Sequence, residues 1–214
     1  GFAACGKLFS SLFGMNYMTA MIISAVVIVA YTTAGGFFAA SATDFVQSII
    51  MTVAIVFVLV FSTISAGGID AVVENAKALP GYLSLTASYI EDTGKSEPYN
   101  LLHIITTLSW GLGYFGMPHI LLRFMAIEDE KKLKLSRRVA SVWVVIAMAM
   151  AVLIGIVGRA LSNTGLVDQL HGNDTETIIV RVAHLLSTYG AFPAIMAGLI
   201  LAGILASTMS TADS

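Results

Sequence analysis

Five long apolar segments constrain what this chain can fold into more than any other feature. Four of them contain no charged residue, and the fifth, residues 101–122, has only His103 and His119 as ionisable groups. About 20 helical residues cross a hydrocarbon core about 30 Å thick, because each residue rises about 1.5 Å. We therefore predict five full membrane spans, and the other four segments are residues 17–34, 45–66, 139–158 and 191–206.

Composition argues against a water-soluble domain. Apolar residues make up 57% and charged residues 11% of the 214 residues, whereas soluble domains have roughly 45–50% and about 25%. We predict an all-α membrane protein of the cell (plasma) membrane, with the lipid bilayer as its surroundings. The spans contain no nucleophile–base pair, Cys/His metal spacing or basic-aromatic nucleic-acid surface. We therefore expect neither an enzyme, nor an organic cofactor, nor a nucleic-acid partner.

The basic residues predict the topology. Residues 123–138 hold six of the 11 Lys and Arg residues, whereas the loop 67–100 has two basic and five acidic residues. By the positive-inside rule, the loop 123–138 is cytoplasmic and the loop 67–100 is external. Alternation then places the turn 35–43 and residue 214 inside and the loop 159–189 outside. An anionic-lipid site on the basic loop is the alternative interpretation.

Both ends of the chain indicate a fragment of one transmembrane domain. Residues 1–13 are typical of the end of a preceding helix, and the chain stops within a helical pattern. The predicted spans cover about 1–13 in part, 17–38, 44–66, 100–124, 138–161 and 190–212. Apolar residues at helical spacing also predict short external helices over 69–79 and 176–186, which either pack on the bundle or anchor it in the membrane.

The first polar segment, residues 35–47, joins the first two full spans. Gly35 and Gly36 permit a tight exit from one helix, and Thr43 or Asp44 can cap the next one. A carboxylate at the membrane boundary is costly unless it is paired or hydrated. The alternative is therefore that Asp44 faces inward as an anionic ligand for a cation.

The second polar segment, residues 109–119, interrupts a predicted span. Three glycines and Pro118 weaken the helix, and non-helical backbone at this depth is tolerated only against protein or a water-filled cavity. Broken helices mark transporter substrate sites. Trp110 and Tyr114 lie four residues apart on one helical face, as plain core packing or as two walls of a binding site.

The third polar segment ends the chain. Small residues at every fourth position, Gly198, Ala202 and Ala206, let a second helix approach closely. The hydroxyl residues that follow form one stripe, Ser207, Ser210, Thr211 and Ser214. Such side chains either bond the carbonyls of their own helix or supply oxygen ligands to a hard cation. If Asp44 faces inward, we expect it on the order of 6 Å from this stripe, the reach of a water-bridged contact.

Together the three segments resemble the solute:sodium symporter family. The run 108–120 and the following Arg123-Phe124-Met125-Ala126 are closely similar to its sodium/proline branch, and 35–47 and 209–211 match family patterns less narrowly. The likeness covers essentially the whole chain in order and spacing. It implies a LeuT-like inverted-repeat helical bundle of thirteen spans, of which this chain would hold the end of the fourth through most of the ninth.

The resemblance also implies a sodium site. Ser210 and Thr211 would be side-chain ligands of the coupling sodium ion, joined by a backbone carbonyl near Ser207. Asp44 would lie near the inward path of that ion. The chain departs from the pattern at Asp213, where proline-transporting relatives carry an uncharged residue. The helix of the first repeat that would supply the remaining sodium ligands is absent from this chain.

For the substrate, the resemblance implies that Trp110, Tyr114 and Pro118 shape a proline site in the broken helix. The expected function is sodium-coupled import of proline by alternating access. The alternatives are symport of another small zwitterion or carboxylate, such as pantothenate, and a helical scaffold subunit of a membrane complex.

Overall fold

Helices make up most of the described chain. The structure, a computed structural model, describes residues 1–114 and 116–213, apart from the side chain of Asn173. In chain order the elements are α1 (Phe2–Phe13), α2 (Tyr17–Ser65), α3 (Ile69–Ala78), β1 (Ala87–Ile90), β2 (Lys95–Pro98), α4 (Leu101–Tyr114), α5 (Pro118–Met125), α6 (Glu130–Asn163), a 3₁₀ helix (Gly172–Thr177), α7 (Ile178–Ser187) and α8 (Ala191–Asp213). Two compact units result: unit 1 is residues 1–66 with the described residues from Met150 onward, and unit 2 is residues 67–149.

Helix α2 is broken at one residue. Gly36 has a φ of 60° and a ψ of −164°, which lie outside the helical range, and glycine adopts this positive φ without the cost of a Cβ. We name the part before the break α2a (residues 17–35) and the part after it α2b (residues 37–65). The predicted turn over residues 35–43 is therefore wrong in extent, since the helix resumes directly after Gly36.

Helix α8 packs against both parts of α2. Gly203 lies against Ala54 of α2b, and ten residues further along α8 the side chain of Asp213 bonds Tyr31 of α2a. Between Tyr31 and Ala54, the chain of α2 therefore moves along α8 from the last residues of that helix toward Gly203 in its middle. This reversal is what the break at Gly36 provides.

Small residues let two helices pack closely in the core of unit 1. A Cβ added at Gly203 would lie 2.7 Å from the Cβ of Ala54, closer than carbon atoms pack. Ala54, Ala197 and Ala206 are all buried. Close helix approach is therefore made by Gly203. The predicted stripe is wrong in its residues, because only Ala206 of the three is buried: Ala202 is exposed, and an added Cβ at Gly198 meets no described atom within 4 Å.

Unit 2 contains a β-hairpin that the all-α prediction missed. Strands β1 and β2 pair antiparallel, with Ala87 opposite Pro98 and Ile90 opposite Lys95, and Gly94 at the turn has a φ of 64°. The strands are four residues long, too short for a clear alternation of apolar and polar residues. The fold class is therefore mostly helical rather than all-α.

The two predicted loop helices are present as α3 and α7. Each buries one face, formed by Val72 and Ala76 in α3 and by Val182, Ala183 and Leu186 in α7. Packing against protein, the first of the two predicted alternatives, explains these faces.

Among the described residues, three helices are long and apolar enough to cross a membrane: α2, α6 and α8. The predicted span over residues 101–122 is divided between α4 and α5, each shorter than a bilayer crossing. How many times the chain crosses the membrane stays a prediction.

Candidate functional site

The hydroxyl stripe of α8 divides into two environments. Ser207 and Ser210 are half-buried, whereas Thr211 is exposed. Ser207 lines a cavity of about 130 Å³ between α8, α2b and α7, whose walls are otherwise apolar side chains such as Met51, Val58 and Ile179. The fourth residue of the stripe, Ser214, lies outside the described residues.

The Thr211 hydroxyl donates a hydrogen bond of 2.9 Å to the carbonyl oxygen of Ser207. This is the bond within the helix that such residues commonly make. It uses the hydroxyl proton and leaves the lone pairs of the Thr211 oxygen free, whereas the Ser207 carbonyl, inside α8, accepts this bond in addition to the backbone bond of the helix. The bond therefore leaves the Thr211 oxygen able to face a cation and holds it beside the Ser207 carbonyl.

Asp44 does not cap a helix. It lies eight residues beyond Gly36, inside α2b, and the neighbouring Thr43 hydroxyl donates to the carbonyls of Ala39 and Ala40, each at 2.9 Å. The capping prediction for Thr43 and Asp44 is therefore wrong, because the helix begins earlier. The Asp44 side chain is half-buried with its Oδ1 shielded, and it lies close enough to Tyr31 to act on it electrostatically. Its expected approach to the hydroxyl stripe stays a prediction.

The sequence did not predict one contact, which joins α2a to the end of α8. The Tyr31 hydroxyl of α2a donates a hydrogen bond of 2.8 Å to Oδ2 of Asp213 on α8, although the two residues are 182 positions apart. Both side chains are half-buried. Two further side-chain oxygens near these residues in sequence are shielded from solvent. They are Thr32 Oγ1, next to Tyr31, and Gln47 Oε1, one helical turn after Asp44.

One signal could have found this contact. A carboxylate in an otherwise apolar helix needs a donor or a cation, and Tyr31 carries a strong donor five residues before the Gly36 break. If the glycines at 35 and 36 are taken to reverse the chain beside α8, Tyr31 becomes the expected donor for Asp213. Tyr31 of α2a is thus bonded to Asp213 of α8.

The predicted substrate residues all lie at the interruption of a helix in unit 2. Helix α4 ends at Tyr114, and Pro118 stands in the first turn of α5, where its missing N–H costs nothing. Between them the backbone makes short-range bonds, from the Gly116 N–H to the Gly113 carbonyl at 3.2 Å and from the Met117 N–H to the Tyr114 carbonyl at 3.3 Å. The break predicted from the glycines and Pro118 is confirmed, and Phe115 within it lies outside the described residues.

The two aromatic residues of this break are open. Trp110 is 76% exposed and Tyr114 is 51% exposed, and no described residue of α4 or α5 is buried. The Tyr114 ring makes an edge-to-face contact with His119 across the break, with the ring centroids 6.3 Å apart. His119 was not singled out by sequence, and the contact makes it part of the same aromatic surface. Core packing among the described residues does not explain Trp110.

Interrupted helices, apolar helices of membrane-spanning length and half-buried carboxylates between them are the marks of a polytopic membrane protein that handles polar solutes or ions. The model of the sodium:solute symporter family matches residues 1–214. The chain belongs to this family.

Similar curated proteins agree with the family match. The chain is 36% identical over 214 residues to sodium/proline symporter 2 of Staphylococcus saprophyticus, covering 100% of this chain and 38% of that protein. It is 38% identical over 215 residues to the high-affinity proline transporter PutP of Bacillus subtilis, covering 100% of this chain and 42% of that protein. A sodium/proline symporter of Staphylococcus aureus is 35% identical over 214 residues, 38% of its length. The chain thus spans less than half the length of these relatives. No solved structure matches the chain significantly.

Proposed function

We propose that this chain is part of a sodium-coupled secondary transporter that imports proline by alternating access. The observation that carries the proposal is the interruption between α4 and α5, which leaves Trp110 and Tyr114 exposed beside backbone that departs from the helical bonding pattern. Broken helices of this kind supply substrate sites in secondary transporters. The names of the similar proteins, sodium/proline symporters and a proline transporter, support the choice of both solutes.

The ion would bind at the hydroxyl stripe of α8. Ser210 and Thr211 offer side-chain oxygens, and the Ser207 carbonyl lies within reach of the same ion because Thr211 already bonds to it. Alkali cations take oxygen ligands for the same reason as other hard cations. Asp44 would guide the ion on its inward path as a carboxylate on the neighbouring helix, and the remaining ligands would come from the rest of the protein.

Proline would bind at the α4–α5 break. Its pyrrolidine ring is apolar and flat enough to lie on the Trp110 and Tyr114 rings, and Pro118 shapes the break without using a backbone donor. Sodium binding would stabilise the outward-open, substrate-competent state, so that the two solutes bind cooperatively. No step of this transport breaks a covalent bond.

The complete protein would have the LeuT-like inverted-repeat fold in the cell membrane. Within it, the chain would be one transmembrane domain fragment with the spans predicted from sequence, the loop 123–138 and residue 214 in the cytoplasm and the loop 67–100 outside. The reversal at Gly36 supports treating α2a and α2b as two spans, since α8 runs beside both.

The test is uptake by the full-length protein in proteoliposomes. We expect labelled proline to accumulate under an inward sodium gradient and not under an equal choline gradient. Excess unlabelled proline should block this uptake, whereas excess pantothenate should not. Sodium-driven accumulation of labelled pantothenate and not of labelled proline would transfer the proposal to the alternative substrate class. Sodium-independent uptake would reject the coupling, and no uptake of any small solute would favour the scaffold alternative.

A further inference from the structure

The hydrogen bond between Tyr31 and Asp213 joins the two helical segments on which the ion path depends. Tyr31 lies at the end of α2a, close to the Gly36 break, and Asp213 lies two residues after Thr211 on α8. The acceptor is a carboxylate, and hydrogen bonds to ionised groups are about twice as strong as bonds between neutral groups. This side-chain bond links α2a to α8.

The position of this bond matters for the oxygens of the stripe. Ser210 is three residues before Asp213, so the two side chains share one face of α8. Further toward the start of α8, Gly203 fixes the helix against α2b through backbone-close contact with Ala54. The last turn of α8 also contacts α1, where Ala212 lies against Gly1, but the Tyr31 bond is a directional contact on the face that carries Ser210. Removing it should let the half of α8 with Ser210 and Thr211 rotate relative to α2a.

We propose that Tyr31 is a positioning residue for sodium: its bond to Asp213 sets the rotation of α8 against α2a and thereby the affinity of the α8 oxygens for the ion. The proposal rests on the sodium-coupled function proposed above. It also gives Asp213 a definite role, as the acceptor that holds the helix rather than as a ligand of the ion.

The decisive experiment compares variants in the full-length protein that separate the bond from the charge. Tyr31→Phe removes only the hydroxyl. Asp213→Ala removes the acceptor and the charge, whereas Asp213→Asn removes the charge and keeps an oxygen that can accept. The matched control is Tyr17→Phe at the other end of α2a, because the Tyr17 hydroxyl makes no hydrogen bond with any described residue and its ring, which packs on Gly6, is kept.

Two readouts are needed. One is the sodium concentration for half-maximal proline uptake, measured together with the maximal rate. The other is the sodium-dependent rise in melting temperature of the purified protein without proline. We expect Tyr31→Phe and Asp213→Ala to raise the half-saturating sodium concentration about three- to tenfold in both assays, while the maximal rate of uptake is retained. A tenfold change corresponds to about 1.4 kcal/mol, and a hydrogen bond to a charged group contributes at least that much. Asp213→Asn, which keeps a neutral acceptor, should lose less than Asp213→Ala. Tyr17→Phe should stay near wild type.

The double variant Tyr31→Phe with Asp213→Ala should be no worse than the more impaired single variant, because both changes remove the same bond. Additive losses would overturn the proposal. So would a large loss in Asp213→Asn with none in Tyr31→Phe, which would make Asp213 a ligand of the ion instead. If sodium stabilises the wild type without proline uptake, only the proposed substrate fails and the melting assay still decides. If sodium has no effect in either assay, the coupling and this inference fail together.

Discussion

The α8–α2 region and the α4–α5 region carry the two halves of the proposed function, and they differ in how complete they are. In the first, small residues let helices approach closely and bury Gly203, Ala206 and Ala54, and Tyr31 of α2a bonds Asp213 of α8. In the second, the apolar side chains of α4 and α5 are open, and the aromatic pair has no wall opposite it among the described residues.

The difference shows what each kind of site requires from the chain. An ion is bound by oxygens at close range, so helices already packed together can supply most of its surroundings. A solute the size of proline needs walls on several sides, and one broken helix supplies one of them. The ion-side residues should therefore respond to changes in packing within this chain, and the substrate-side residues should respond to the loss of their own surface.

The largest expected effect is the all-or-none labelling of introduced cysteines from one side of the membrane. It tests whether α4 and α5 cross the membrane as one interrupted span. Cys5 is buried and is replaced by Ala in the full-length protein. A cysteine replacing Lys132 should then react with a membrane-impermeant maleimide only from the cytoplasmic side, and one replacing Glu91 only from outside. Labelling of both from the same side would mean that the broken helix does not cross, and the α4–α5 region would lose its role as a substrate site.

The next effect concerns the exposed aromatic surface. Trp110→Ala should weaken apparent proline affinity by roughly 10- to 100-fold, as for an aromatic side chain that covers a ligand and contributes about 1.5–3 kcal/mol. Half-saturating sodium should change only as much as coupling between the sites transmits. The other tryptophan, at position 143 in α6, provides the control: Trp143→Ala should leave proline affinity within about twofold of wild type. Equal losses in both variants would indicate a general defect of folding.

A smaller effect distinguishes the packed region from the open one. A methyl group at Gly203 would collide with Ala54, so Gly203→Ala should lower the free energy of unfolding by about 1–3 kcal/mol, as overpacking does. Gly198 on the same helix has no described atom within 4 Å of an added Cβ. Gly198→Ala should therefore be neutral or stabilising by up to about 1 kcal/mol.

Thermal melting in detergent checks this pair of glycine variants. Restoring space with Ala54→Gly should recover part of the loss in Gly203→Ala. Equal melting temperatures for the two glycine variants would show that α8 does not approach α2b as closely as the structure indicates.

The overall helical pattern was predictable because apolar length and glycine or proline breaks are local features of the sequence. The interruption after Tyr114 and the loop helices α3 and α7 follow directly from such features. The start of α2b at Phe37 could not be predicted in this way, because Thr43 and Asp44 are both good capping residues by type. Only the backbone shows that the chain turns at Gly36. The hairpin of β1 and β2 escaped because Lys95–Pro98 is a short, polar strand held by pairing rather than by burial.

The candidate site was predictable only where its residues are neighbours in sequence. Ser207, Ser210 and Thr211 share a helix face, and Trp110 and Tyr114 share another, so spacing alone brings each group together. The pairing of Tyr31 with Asp213 depends on the reversal at Gly36 and on the rotation of α8, and both are consequences of packing between segments distant in sequence. Asp213 therefore stood out as a departure from the family pattern without a partner that the sequence could identify.

The smallest expected effect concerns Thr211, whose hydroxyl bonds the Ser207 carbonyl and is proposed to face sodium as well. Thr211→Ala removes one oxygen ligand and should raise the half-saturating sodium concentration about three- to tenfold, the change that a net contribution of about 1 kcal/mol produces. Thr211→Ser keeps the oxygen and its bond within the helix, and it should stay close to wild type. Because Thr211 is exposed, neither variant should change the melting temperature measured without sodium. If Thr211→Ala leaves sodium dependence unchanged while Tyr31→Phe alters it, the ion is held by the half-buried face of Ser207 and Ser210, and the exposed side of α8 is not part of the ion site.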